Sequence, residues 1–214
     1  MKNIVAHVVN FIFPNKISQC GLTINTLLTQ ERYCFEELYP KIYSICRYKN
    51  TLIRNLIHQV KFKGDETTAE IIASCIARHI DTILESLLRN HPPDHRYKVI
   101  LIPIPSSHRR RMSRGWNQCE IIARHIPSWS VYRPLVALHI LKRSETTSFQ
   151  KKLSRHERLQ AQKNSFTAFP HHSTDETIVI VIDDIVTTGA TLREAITTLE
   201  KGGYRNVFGI AFAH

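Results

Sequence analysis

Apolar and polar positions follow two rhythms along this chain, and the rhythms separate strands from helices. The sharpest run is I-V-I-V-I at residues 178–182, five consecutive β-branched residues followed at once by Asp183 and Asp184. Five residues are too few for a helix, and an unbroken apolar run suits a strand buried on both faces. Downstream, Leu192, Ala195, Ile196 and Leu199 fall at i, i+3, i+4 and i+7, the stripe of a helix packed on a sheet. Residues 98–102 (K-V-I-L-I) predict a second buried strand, and Asn206–Ala213 a third. Two helices are predicted upstream. Residues 48–61 carry Leu52, Ile53, Leu56, Ile57 and Val60 on one face before a stop at Gly64, and residues 66–89 turn Ile72, Ile76, Ile80, Ile83 and Leu87 inward. His79 falls on that apolar face and is given no functional role. Residues 117–126 predict a short helix, and residues 131–141 have strand character that Pro134 limits. The fold class this implies is α/β: an open, mainly parallel sheet flanked by helices.

Length and composition narrow the picture. A chain of 214 residues with 43% hydrophobic content fits one folded α/β domain plus an appendage. We divide it into an N-terminal appendage at 1–47 and a main domain at 48–214. No apolar run approaches the ~20 residues that span a bilayer. The N-terminal stretch makes a poor leader, because His7 and Asn10 interrupt it and no small-residue cleavage site follows. The five cysteines are scattered and odd in number, which speaks against a disulfide framework; a cytoplasmic location is expected. Cys20, Cys34 and Cys46 form no close pair, so no structural zinc is expected.

The charge is uneven. Of a formal +11, residues 109–114 supply four arginines without an acid. Residues 142–163 add seven basic side chains against only Glu145 and Glu157, so the two segments hold nine of the eleven net charges. Such concentration suits a polyanion, either a pyrophosphate or a nucleic-acid backbone. The second segment reads as a long arm able to close over a bound polyanion, with a short helix starting where Ser154 and Glu157 stand at capping-box spacing.

The strand ending at Asp183 and Asp184 leads through Thr187, Thr188, Gly189, Ala190 and Thr191 into the next helix. A helix N-terminus behind a glycine loop presents free N–H groups, and the threonine hydroxyls add donors, so this turn suits one phosphate. The aspartates would repel that phosphate and instead suit neutral hydroxyls or a cation just upstream. Pro103 and Pro105 force the chain out of the sheet after residues 98–102, giving a loop with Ser106, Ser107, Arg109, Arg110, Arg111 and Arg114 at the edge where α/β sheets bind ligands. Arginines there can clasp a pyrophosphate.

The stretch I-V-I-V-I-D-D-I-V-T-T-G-A-T resembles the phosphoribosyl-pyrophosphate (PRPP) motif of type I phosphoribosyltransferases. That resemblance implies ribose contacts from Asp183 and Asp184, a 5′-phosphate cradle at Thr187, Thr188, Gly189, Ala190 and Thr191, and magnesium carried with the ligand near Asp183 and Asp184. Three further blocks narrow it: Y-K-N-T-L-I-R-N-L-I-H-Q-V-K-F-K-G-D, I-P-I-P-S-S-H-R-R-R-M-S-R-G-W-N-Q, and Leu141 with Arg143, Gln150, Leu153 and Arg158. Together they resemble the ComF family of competence proteins, over about residues 46–214. The R-G-W-N-Q run at residues 114–118 is the most family-specific part.

The resemblance implies a type I phosphoribosyltransferase-like fold and a role in natural transformation, handling incoming single-stranded DNA at the cytoplasmic face of the inner membrane. The DNA-uptake helicase and the inner-membrane DNA channel would be its partners. We assign pyrophosphate to Ser106, Ser107, Arg109 and Arg114. Single-stranded DNA is assigned to Arg110, Arg111, Trp116, Arg143, Lys151, Lys152, Arg155 and Arg158, with Trp116 and Phe149 as stacking surfaces. No catalytic residue is named. An active phosphoribosyltransferase and a PRPP-sensing, nucleic-acid-binding regulator remain the alternatives. Two departures stand out. The family's four-cysteine zinc knuckle is reduced to Cys20 and Cys34, with Ile17 and Glu31 in the partner positions, and Ala161 stands where the family usually has asparagine.

Overall fold

A computed structural model describes residues 33–88, 97–144, 165–170 and 176–214. In chain order the strands and helices are β1 (Tyr33–Tyr39), β2 (Ile42–Cys46), α1 (Thr51–Lys63), α2 (Glu66–Leu88), β3 (Lys98–Pro103), α3 (His108–Arg114), α4 (Gln118–His125), β4 (Leu135–Val136), β5 (Leu141–Arg143), β6 (Phe166–Ala168), β7 (Thr177–Ile185), α5 (Ala190–Lys201) and β8 (Asn206–Ala213). Six strands form one sheet in the order β1-β2-β8-β7-β3-β4, while β5 and β6 pair separately. Every pairing from β2 to β4 is parallel, and only the β1–β2 hairpin runs antiparallel. This is the open, mainly parallel α/β sheet that the element pattern predicts.

Strand periodicity explains why β7 reads as an unbroken apolar run. Successive side chains point to opposite faces, and here both faces are covered. Ile178, Ile180 and Ile182 enter the core built with α1, α2 and α4, while Val179 and Val181 enter the core under α5. On α5 the buried residues are Leu192, Ala195, Ile196 and Leu199, the stripe expected from their spacing. In α2, Ile72, Ile76 and Ile80 are fully buried, but Leu87 is 40% exposed because the helix ends one residue later. His79 is buried, its Nδ1 2.5 Å from the Cys75 carbonyl, and burial holds it below the usual histidine range.

Helix ends follow local chemistry. Asn50 accepts from the N–H groups of Leu52 and Ile53 and starts α1; Gly64, at φ 61°, stops it. A side chain at Gly64 would also meet the Trp116 indole at 3.1 Å, so conformation and space both require glycine there.

Three expectations need adjusting. β1 and β2, which lie before residue 48, form an edge of the main sheet, with β2 paired along β8. The arginine-rich segment is not all loop. After Pro105, Ser107 caps a seven-residue helix by accepting from Arg110 N–H, and Gly115 ends it in the left-handed conformation. Residues 131–141 do not form one strand: only Leu135 and Val136 pair with β3, after a turn in which Arg133 takes φ 43°. The helix expected from Ser154 lies outside the described residues.

Candidate ligand site at the carboxyl edge of the sheet

Parallel strands bring their carboxyl ends to one edge, so β3 and β7 deliver their following loops side by side. Pro103 is in register with Ile182, and Ile104 N–H donates to the Ile182 carbonyl at 2.9 Å, tying the β3–α3 loop to the residue before the acid pair.

Asp183 and Asp184 are buried, at 9% and 6% exposure. Alternation would send neighbouring side chains apart, yet at the strand's end their oxygens and the Cys119 sulfur lie within 4.8 Å of one another. Asp184 N–H donates to Asp183 Oδ1, and Ile185 N–H to Asp184 Oδ1, both at 2.9 Å. The Cys119 thiol contacts Asp183 Oδ1 at 3.6 Å, and Gln118 Nε2 donates to Asp184 Oδ2 at 3.3 Å. No ion pair involves either aspartate among the described residues. Burial, then the neighbouring Asp184 charge, pushes the Asp183 carboxyl well above the usual carboxylate range. Burial first, then both carboxylates, likewise pushes the Cys119 thiol well above its ordinary value, which leaves it an unreactive thiol rather than a thiolate. Gln118 carries no role and Cys119 no mention in the sequence reading, although Gln118 ends the R-G-W-N-Q run. The signal available was their place in the first turn of a helix that starts directly after the R-G-W block.

The loop after β7 is open on its ligand side. Thr187, Thr188, Ala190 and Thr191 are exposed, no side chain caps α5, and Ala190 N–H makes a long donation to Thr188 Oγ1 at 3.4 Å. The far side is braced. Gly189 takes φ 69°, and a Cβ there would fall 2.7 Å from the Tyr39 ring. Arg193 donates to the Thr188 carbonyl at 2.7 Å while its guanidinium lies 4.6 Å from the centre of the Tyr39 ring. Tyr39 and Arg193 thus hold the loop from behind, a pairing between distant segments that sequence spacing cannot reveal.

The R-G-W-N-Q block has a distinct job at each position. Arg114 lies over the Phe62 ring at 4.9 Å, and Gly115 closes α3. Trp116 is not a free platform: its Nε1 donates to the Val60 carbonyl at 3.1 Å and its ring packs on Gly64. Asn117 is buried, donates to the Ile104 carbonyl at 2.9 Å and caps α4 through Cys119 N–H. Gln118 reaches the acid pair. The block therefore joins α1, the β3–α3 loop and β7.

Other expected positions divide. Ser107 is occupied as a cap, whereas Ser106 Oγ is buried without a partner, as is one terminal nitrogen of Arg114. Arg109 and Arg110 are exposed, and Arg111 pairs with Glu120. Arg143 does not stand on the open surface. It is half-buried beside Phe166, makes a long 3.5 Å contact to the Pro105 carbonyl, and lies within electrostatic reach of Arg110 and Asp183. Lys151, Lys152, Arg155, Arg158 and Phe149 lie outside the described residues, as does Cys20. Cys46 is buried at the end of β2. Among the described residues no helix is long and apolar enough to cross a membrane.

No protein-family model matches the chain. Individual relatives do. Competence protein F of Haemophilus influenzae is 32% identical over 148 residues, covering 64% of this chain and 62% of that protein. Competence protein ComFC of Bacillus subtilis is 32% identical over 154 residues, covering 72% of this chain and 56% of that protein. The chain therefore spans about three fifths of the length of these two relatives. DNA utilization protein YhgH of Escherichia coli K12 is 26% identical over 194 residues, covering 86% of this chain and 78% of that protein. Among solved structures, hypoxanthine phosphoribosyltransferase of Trypanosoma cruzi matches at 14% identity and a TM-score of 0.40 over 68% of this chain and 64% of that one, too distant to add to the sheet order described above. The sequence blocks, the sheet they build and the shared identity with competence and DNA-utilization proteins converge: this chain is similar to the ComF family of competence proteins.

Proposed function

We propose that this chain binds PRPP with magnesium at the carboxyl edge of its sheet and handles single-stranded DNA during uptake. The observation that carries the PRPP reading is the juxtaposition of a buried, unneutralised acid pair with an uncapped helix N-terminus one loop away. In this reading the ribose hydroxyls donate to Asp183 and Asp184, and the 5′-phosphate accepts from the first-turn N–H groups of α5 and from Thr187, Thr188 and Thr191. The pyrophosphate lies toward Ser106, with Arg109 beside it; Arg114, given to pyrophosphate on sequence alone, leaves this set because it lies over the Phe62 ring. Arg110 and Arg143, given to nucleic acid on sequence alone, join the pyrophosphate side, because Arg143 is half-buried at the Pro105 carbonyl and within electrostatic reach of Arg110 and Asp183.

The donor set fits magnesium in part. Two carboxylates are the hard oxygen ligands that magnesium takes, whereas the protonated Cys119 thiol is a soft donor it does not use. When bound, the ion neutralises pyrophosphate charge. An ionised carboxylate accepts from hydroxyls more strongly than a protonated carboxyl, so the raised Asp183 carboxyl makes binding stronger as pH rises through the folded value. Uptake of single-stranded DNA, with the uptake helicase and membrane channel as partners, rests on the competence relatives.

Calorimetry with Mg-PRPP tests the reading. Saturable binding to the wild type is expected, with affinity lower by roughly a hundredfold in Asp183→Ala/Asp184→Ala, since each charged hydrogen bond contributes about 1.5–3 kcal/mol. Unchanged affinity in the double variant would contradict the ribose assignment. Pyrophosphate release with a panel of free bases distinguishes a transferase from a binding protein.

A further inference from the structure

The carboxyl-terminal end of α1 carries a surface that the PRPP site does not use. Arg54, His58 and Phe62 recur every four residues along one exposed side of the helix. Phe62 is 53% exposed, although it sits in the middle of K-F-K. A single exposed ring is common on protein surfaces, and what sets this one apart is the groups around it. His58 stacks against it at 4.4 Å between ring centres, tilted by 36°. The Arg114 guanidinium lies 4.9 Å from the centre of the same ring. Three flat groups from two helices thus form one contiguous row.

Charge surrounds this row and is not neutralised by it. α1 holds Arg54, Lys61 and Lys63, α3 holds four arginines, and neither helix contains an acid. Asp65 caps α2 at Thr68 and Glu66 pairs with His125, while Glu120 neutralises one of the four arginines, Arg111. Among the described residues neither Lys61 nor Lys63 has a carboxylate partner, and one Arg114 nitrogen is buried with no acceptor. The two helices are fixed to each other by the Trp116–Val60 hydrogen bond and by the packing of Trp116 on Gly64.

We infer that this row is where single-stranded DNA is gripped, with an unpaired base adding to the His58–Phe62–Arg114 stack and the adjoining phosphates meeting Lys61 and Lys63. The assignment rests on the DNA-handling function proposed above and gives it a site. Aromatic stacking combined with unpaired cations is the chemistry by which proteins hold unpaired strands regardless of sequence. A duplex offers the same phosphates but keeps its base faces stacked internally, so the row favours a single strand.

Phe62→Leu tests this directly. Leucine keeps the bulk and the helix but removes the π face, and Phe62 takes no part in the PRPP site. Labelled oligothymidylate should bind this variant about tenfold more weakly than the wild type, the effect of losing one stacked base. An abasic oligomer of equal length should bind both proteins equally, because only phosphate contacts remain. Mg-PRPP affinity should be unchanged, which shows the variant is folded. Equal oligothymidylate binding by wild type and variant would overturn the assignment while leaving DNA handling itself intact. Absence of any oligothymidylate binding to the wild type at low salt would overturn the DNA-handling reading along with it.

Discussion

Two charged regions of this molecule treat their charge in opposite ways. At the end of β7 two carboxyl groups are buried side by side, held by strand geometry and by α4, and burial favours the protonated form of Asp183. Across α1 and α3 seven basic side chains lie on two helices without an acid. Buried charge is expensive and is retained where it meets one ligand in one orientation. Charge on two helices costs little and suits a long, flexible polyanion that can bind in many registers. The difference separates a site built for a small, defined ligand from a surface built for a strand. The R-G-W-N-Q block joins the two, with Arg114 and Trp116 at the strand surface and Gln118 at the acid pair.

If the contrast is correct, perturbations at one region should leave the other unaffected. Within the phosphate loop, Gly189→Ala should weaken PRPP binding without touching the acid pair. The new methyl would lie 2.7 Å from the Tyr39 ring at a backbone φ of 69°, so the loop must move. Strain of about 1–3 kcal/mol at such a position corresponds to at least a fivefold loss of Mg-PRPP affinity, read by calorimetry, with oligothymidylate binding unchanged. Next, Lys61→Gln/Lys63→Gln should weaken oligonucleotide binding several-fold. It should also flatten the log–log salt dependence by about 1.4, roughly 0.7 per phosphate contact on a single strand, without altering PRPP binding.

The smallest effect is on stability and has the opposite sign to the effect on function. Because the folded carboxyl of Asp183 is raised, the folded chain holds that proton more tightly than the unfolded chain does. Stability from this group is therefore fully present below the ordinary carboxylate range near 4 and is lost as pH rises through the folded value. Asp183→Asn should abolish that slope. At neutral pH it should raise the melting temperature of the ligand-free protein by a few degrees, about 2–4 °C per kcal/mol in a domain of this size, while weakening PRPP binding. Thermal melts from pH 4 to 8 check this; a melting temperature lowered by the substitution at neutral pH would contradict the burial argument.

Much of the central architecture was legible because it is local and periodic. β8 spans the residues expected, β7 and α1 lie within a few residues of their expected bounds, and α5 buries the four residues its spacing selects. Three features depended on contacts that sequence spacing does not carry. β1 and β2 join the sheet through β8, some 165 residues away, and a run of aromatics gave no sign of that pairing. Pro103 and Pro105 suggested a loop, yet Ser107 and Gly115 bracket a helix of one or two turns whose caps are visible only in retrospect. Trp116 drew attention as a stacking surface, but its indole bonds inward to Val60, whereas Phe62, hidden inside an amphipathic helix pattern, is the ring left open. Side-chain type alone could not distinguish those two aromatics; exposure could.

The most direct test of the two-region account is a cross-titration. Mg-PRPP and labelled oligothymidylate are each titrated into the wild type, into Asp183→Ala/Asp184→Ala and into Lys61→Gln/Phe62→Leu/Lys63→Gln. The account predicts that the first variant loses PRPP by roughly a hundredfold while keeping DNA, and that the second loses DNA by more than tenfold while keeping PRPP. Parallel loss of both ligands in either correctly folded variant would contradict it.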